Sequence, residues 1–307
     1  MTYTLETPAV LIDLDIVEAN IAAAQAHFDA LGVKFRPHIK THKIPRLARL
    51  QLREGAQGIA AQKLSEVEVF VAEDFDDILL CFNLLSPTKI ARLRALTDRC
   101  AITVVADNVE TVQALSQGFA DAAEKLAVLV ECDTGMGRAG VQTPQDAADL
   151  AYAIDTAPGL RFQGLMTYPP NGGEAQVQAF MSAARTLCIA SVGHCDTISS
   201  GGTPTMADAA LAPAVTEYRA GTYIYNDRSL VARGACTWGQ CALTVLATVT
   251  SRPTPTRAIL DAGSKSLTSD LLGLTGYGHV VEYPDASITQ LSEEHAMVHL
   301  PPDTPGP

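Results

Sequence analysis

A lysine becomes a nucleophile toward carbonyls when its ammonium is desolvated or crowded by other cations. The stretch at 33–43, VKFRPHIKTHK, offers Lys40 in such company, with Arg36, His38, His42 and Lys43 all within four residues of it. Taken alone, a Lys/His cluster reads as a solvated basic loop. Two further stretches change that reading. At 199–205, SSGGTPT brings Ser199, Ser200, Gly201, Gly202, Thr203 and Thr205 together, hydroxyls and unhindered backbone N–H groups suited to cradling a phosphate at a helix start. Gly221 and Thr222 form a second such turn.

The elements that must position these groups follow a regular beat. Strand patterns at 33–39, 58–62, 77–82, 102–107, 126–133, 162–168, 197–201 and 217–223 alternate with helical patterns at 64–71, 87–96, 109–118, 144–155 and 174–192, and a short one near 206. Near-continuous apolar strands alternating with helices predict a parallel sheet, and eight of them predict a closed (β/α)8 barrel of the TIM type. An open doubly wound sheet is the rival, and its glycine fingerprint after the first strand is absent. A strand at 7–14 and a helix to about residue 31, capped by Asp15 and closed by Gly32, precede the series.

In this frame the polar residues fall at strand C-terminal ends, where barrels place chemistry. Lys40, Gln62, Asp107, 133–138, Tyr168, 200–205 and 219–222 all do so. A strand-end lysine facing a phosphate cradle after strands 7 and 8 suits a phosphate-bearing aldehyde, pyridoxal 5'-phosphate (PLP).

Composition sets the outer bounds. The 307 residues are 47% hydrophobic and 18% charged, enough for a large core, and no run approaches the roughly 18 apolar residues of a membrane span. A net charge of −12 argues against nucleic acid, whose phosphates are bound by many Lys and Arg contacts. Seven cysteines without CxxC spacing, and an N-terminus without a basic-then-apolar leader, predict a reducing cytoplasm. Beyond about 230 the chain turns β-branched without amphipathic helices, so the expected division is a barrel at 12–232 and a β-rich domain from 1–11 and 233–307.

RPHIKTHK (36–43), DTGMGRAG (133–140), SSGGTPT (199–205), EYRAGTY (217–223) and LDAGSKSLTSD (260–270), in that order, resemble the D-threonine aldolase and D-serine dehydratase family, relatives of alanine racemase with the fold-type III PLP architecture. The resemblance runs from about residue 7 to 295. It implies that Lys40 forms the Schiff base, that Arg138 lies near the cofactor's phenolic oxygen and Tyr168 near its ring, and that the 200–203 and 221–222 backbones hold the phosphate. Arg219 resembles the alanine-racemase arginine that faces the pyridine nitrogen; a salt bridge to Glu217 is its other reading. The expected site is therefore Lys40, Tyr168 and His38 as catalytic residues, with Gln62, Arg138, Ser200, Gly201, Gly202, Thr203, Arg219, Gly221 and Thr222 joining Lys40 and Tyr168 on the cofactor.

The chain departs from the family in two places. Members carry a divalent-metal pair, a His and then an Asp or Cys two residues on, near the close of the β domain. No such pair is found here, so manganese or zinc is implied by the family but without ligands in this chain, and the closing part of the β domain is expected to be missing. His295 and His299 read as surface residues of a strand. Aldolase members also tend to have a histidine soon after the tyrosine, where this chain has Pro169, Pro170 and Asn171. The expected activity is retro-aldol cleavage of a small β-hydroxy D-amino acid to glycine and an aldehyde, by a homodimer with no membrane or nucleic-acid partner. A dehydratase, a racemase and a non-catalytic PLP-binding protein are the alternatives.

Overall fold

The computed structural model describes residues 5–302, 304 and 305. By contacts the chain forms two units, Ile21–Tyr223 and Met1–Asn20 with Ile224–Pro307. The first element, strand β1 (Ala9–Ile12), leads into helix α1 (Leu14–Leu31), which runs through the boundary. Its N-terminal N–H groups are capped two residues earlier than the sequence predicts, because Asp13 rather than Asp15 accepts from the N–H groups of Asp15 and Ile16, at 3.0 and 3.2 Å.

The larger unit is the barrel. Its strands are β2 (Lys34–Phe35), β3 (Ile59–Ala61), β4 (Asp77–Leu80), β5 (Ala101–Ala106), β6 (Leu126–Cys132), β7 (Leu160–Thr167), β8 (Thr197–Ser200) and β9 (Glu217–Tyr218). Helices α2 (Pro45–Glu54), α3 (Leu64–Ala72), α4 (Pro87–Thr97), α5 (Val109–Phe119), α6 (Pro144–Thr156) and α7 (Glu174–Val192) connect them. All eight strands are parallel, in the order β2-β9-β8-β7-β6-β5-β4-β3. The ring closes where Gln57 N–H donates to Phe35 O at 2.7 Å and Ala60 N–H to Pro37 O at 2.8 Å. The expected (β/α)8 architecture is therefore observed.

Two strands are shorter than the sequence suggests. The one expected at 33–39 is regular strand only at Lys34 and Phe35, although the Arg36 and His38 N–H groups still donate to Tyr218 O and Ala220 O, at 2.9 and 2.8 Å. The chain then enters a 3-10 turn, Ile39–Thr41, that carries Lys40. The one expected at 217–223 likewise pairs only at Glu217 and Tyr218 before a 3-10 turn at Thr222–Ile224. Aromatic stacking holds this short pair in place. Phe28 of α1 lies 4.7 Å from both the Phe35 and Tyr218 rings, and burying each such ring contributes about 1.5–3 kcal/mol.

The barrel interior is divided. On the β3–β7 side it is an apolar layer of Ala60, Leu79, Cys81, Val105, Leu129 and Met166. On the β2, β8 and β9 side it is polar, with Arg36, Ser199, Glu217 and Arg219 all buried. That polar side carries the chemistry.

In the smaller unit, helix α8 (Arg228–Ala232) precedes β10 (Leu243–Leu246), which pairs antiparallel with β1. Strands β11 (Val249–Thr254), β12 (Arg257–Leu260), β13 (Ser287–Leu291) and β14 (Ala296–His299) form an antiparallel sheet in the order β11-β12-β14-β13 around buried Ala258, Ile288, Ala296 and Val298. His295 precedes β14 and His299 ends it, both exposed. Four residue steps along extended chain separate them by roughly 13 Å, too far to share one ion. Among the described residues, no group of three or more His, Cys, Asp or Glu side chains could hold a metal.

Candidate active site

Lys40 stands on its 3-10 turn with an accessible tip, yet enough protein surrounds it that burial lowers its pKa below the ordinary lysine value, with Arg138 and Arg219 adding to the fall and Cys81 and Glu66 opposing it. The cations that act on it are not its sequence neighbours. Arg36 points into the barrel and pairs with Glu217 at 2.7 Å and Asp77 at 2.8 Å, while Lys43 pairs with Glu66 at 3.1 Å. His42 is held neutral, burial having lowered its pKa to about 4.

A lowered lysine pKa means that the free amine, which alone attacks a carbonyl, persists to lower pH than in an ordinary lysine. Reaction of the cofactor-free protein with a small aldehyde should therefore rise through an apparent pKa below the ordinary lysine value, read as the pH dependence of labelling at Lys40. A Lys40 profile like that of a free lysine peptide would contradict the geometry.

His38 is buried with its ring committed at both nitrogens. Nδ1 accepts from the Lys40 N–H at 3.3 Å, and Nε2 lies 3.2 Å from Gln62 Oε1. Gln62 Nε2 donates to Cys81 O at 2.7 Å, so Oε1 is the acceptor and His38 is the Nε2–H tautomer. Burial, then Lys40 and Arg219, hold His38 well below its ordinary pKa. A neutral imidazole so tied braces the Lys40 turn, and the Gln62 amide links it to Cys81.

The DTGMGR segment folds around Asp133, whose Oδ1 accepts from Gly135 and Gly137 N–H groups at 2.9 and 3.1 Å. Gly140 closes it with φ +120°, where a side chain would collide with the backbone of Asp133 and Cys132. Arg138 is thereby carried over the Tyr168 ring, its guanidinium 4.8 Å from the centroid, and Lys40 Nζ lies 5.7 Å from the same ring. On the inward face of β6 sits Glu131, which the sequence analysis overlooked. Burial and Asp107 raise its pKa against the pull of Arg138 and Arg219.

The glycine-rich loop after β8 approaches the same space. Gly201 adopts φ +115° and any Cβ there would strike the Tyr218 ring, whose hydroxyl donates to Gly202 O at 3.0 Å. Thr203 opens one 3-10 helix and Thr222 the next, so their first N–H groups have no intrahelical acceptor. The two turns are joined by Tyr223 N–H donating to Thr203 Oγ1 at 3.1 Å, and Gly221 packs against His38 O and Thr41 Oγ1. Ser199, which the sequence places in the cradle, instead turns its hydroxyl into the barrel between Arg219 and Glu217, at 2.6 Å from each.

Arg219 is buried and makes no direct bond to Glu217. Its Nη1 donates to Ser199 and its Nη2 to Thr167 O at 2.8 Å. Among the described residues, Lys40, Arg138 and Arg219 form no ion pair with any carboxylate. Three cations, an aromatic ring and a glycine-threonine loop thus border one space and are fitted to an anionic planar ligand.

Comparison with known proteins agrees with this geometry. The family "Alanine racemase, N-terminal domain" matches residues 12–229, and a serine dehydratase domain matches 242–307. The chain is 36% identical to a D-threonine aldolase of Arthrobacter sp, over 99% of this chain and 82% of that protein. It is 32% identical to the D-threo-3-hydroxyaspartate dehydratase of Delftia sp. (strain HT23), over 96% and 84%. The crystal structure of a D-threonine aldolase from Filomicrobium marinum superposes with a TM-score of 0.86 at 30% identity, covering 96% of this chain and 82% of that one. With its barrel, its strand-end lysine and these relatives, the chain belongs to the alanine racemase N-terminal domain family, on the branch that holds the D-threonine aldolases and hydroxyaspartate dehydratases.

Proposed function

We propose that this chain is a PLP-dependent lyase that cleaves a small β-hydroxy D-amino acid to glycine and an aldehyde. The observation that carries the reading is the set of three cations without carboxylate partners, Lys40, Arg138 and Arg219, gathered with Tyr168 beside the 200–203 loop. The family implies the cofactor, and these residues fit it. Lys40 would bond its aldehyde carbon, Arg138 would meet its phenolic oxygen, and Arg219 its ring nitrogen. The 200–203 and 221–222 backbones would take its phosphate. When bound, the cofactor supplies an aldehyde for the substrate amine and a ring that takes up the electron pair left at Cα.

This chain's own residues do the rest. Arg219 cannot surrender its proton, so it leaves a ring nitrogen unprotonated and moderates the electron sink. Lys40 Nζ, its pKa lowered by burial, is a base that can take up and release a proton more readily than an ordinary lysine. Tyr168 and Arg138, stacked at 4.8 Å, border one side of the space. The described residues do not fit a divalent metal, and no step is assigned to one.

The test is product identification. With D-threonine, the aldolase reading predicts glycine and acetaldehyde; ammonia and 2-oxobutanoate would favour dehydration, L-allo-threonine inversion at Cα, and no turnover of any D-amino acid a PLP-binding protein. We further propose a homodimer in a reducing compartment. Exposed Leu246, Leu272 and Val281 in the β-rich unit support the first, and unpaired cysteines the second. Sedimentation of a monomer would refute the dimer.

A further inference from the structure

Glu217 and Arg219 lie two residues apart on one face of the β9 path, where a direct ion pair between them is the default expectation. The structure interposes Ser199. Register places Ser199 opposite Glu217 on the neighbouring strand, and its Oγ lies 2.6 Å from Glu217 Oε1 and 2.6 Å from Arg219 Nη1. The other Glu217 oxygen takes Arg36 Nε at 2.7 Å, and Arg36 in turn binds both oxygens of Asp77, at 2.8 and 3.1 Å. All but Asp77 are buried.

The proton direction in this chain is determined. Glu217, paired with a guanidinium, accepts only, and Arg219 donates only. The single Ser199 proton therefore points at Glu217, and its lone pair faces Arg219. We propose that Ser199 is a positioning residue: its hydroxyl, polarised by Glu217, holds Arg219 toward the cofactor space while keeping the carboxylate from pairing with it and drawing it away. Glu217 is held directly by Arg36 through its other oxygen and reaches Arg219 only through the Ser199 hydroxyl, so the Arg219 guanidinium makes no direct contact with a carboxylate.

This inference rests on the reading that Arg219 meets the ring nitrogen. The experiment compares Ser199→Ala, Ser199→Thr and Ser199→Val in the full chain, reading the dissociation constant of PLP and the absorbance maximum of the bound cofactor. Thr and Val have the same shape and differ in the hydroxyl alone. Loss of a hydrogen bond to a charged group should weaken PLP binding about tenfold in the Val and Ala proteins and displace the band, with Thr staying within about twofold of the parent. Val and Ala proteins that match the parent would overturn the proposal, as would Thr and Val proteins that are equally impaired. Arg219→Ala separates the two claims. If it moves the band while Val and Ala do not, only the role of Ser199 falls; if it too leaves the band and affinity unchanged, the reading of Arg219 falls with it. Should the Ala protein not fold, the Thr and Val pair alone decides.

Discussion

Lys40→Ala protein is expected to fold as the parent does and to lose turnover of β-hydroxy D-amino acids by a factor on the order of 10³ or more. Both halves follow from where the lysine stands. Its tip is exposed on a 3-10 turn and no carboxylate pairs with it, so truncation leaves no buried charge stranded and stability should change by about 0.5 kcal/mol or less. The turn itself is held by backbone, with Lys40 N–H donating to His38 Nδ1. No neighbour can substitute. Lys43 is engaged by Glu66 at 3.1 Å. Steady-state turnover and thermal melting check the two halves, and a variant that retains a tenth of the parent's activity would refute the role.

Glu217→Ala should instead strike the fold. The carboxylate is buried and accepts from Arg36 and Ser199 at once, at 2.7 and 2.6 Å. Removing one partner of a buried pair leaves the other charge uncompensated, which costs about 3–5 kcal/mol. Arg36 keeps Asp77, half-buried at the start of β4, so the loss should sit at the lower end of that range. Against a total stability of about 5–15 kcal/mol, this is a large fraction. Urea unfolding of cofactor-free protein measures it. A loss under about 1 kcal/mol would mean that water reaches Arg36.

Most of the barrel was legible because every strand from β3 to β6 is a largely apolar run of its own, bounded by turn residues. What was not legible is short or capped from outside: β2 and β9 pair at two residues each, and Asp13 rather than Asp15 caps α1. Within the candidate site, Lys40, Arg138, Tyr168 and Arg219 were expected from their motifs. Their mutual electrostatics were not, since sequence adjacency put Arg36 and Lys43 beside Lys40 whereas closure of the ring brings Arg138 and Arg219 there. Arg36 belongs to a layer nearer the strand N-terminal ends, level with the first residues of β4 and β9. The common face of Glu217 and Arg219 could have been read from strand alternation. The place of Ser199 between them could not, because it depends on the register of β8 against β9.

The central claim is that the cofactor is carried by the amine on the turn after β2. Borohydride reduction of the purified protein loaded with PLP, followed by peptide mass mapping, tests it most directly. The account predicts one stable pyridoxyl adduct, on Lys40, with Lys43 and Lys63 unmodified. An adduct on Lys43, or no stable adduct on any lysine, would contradict it.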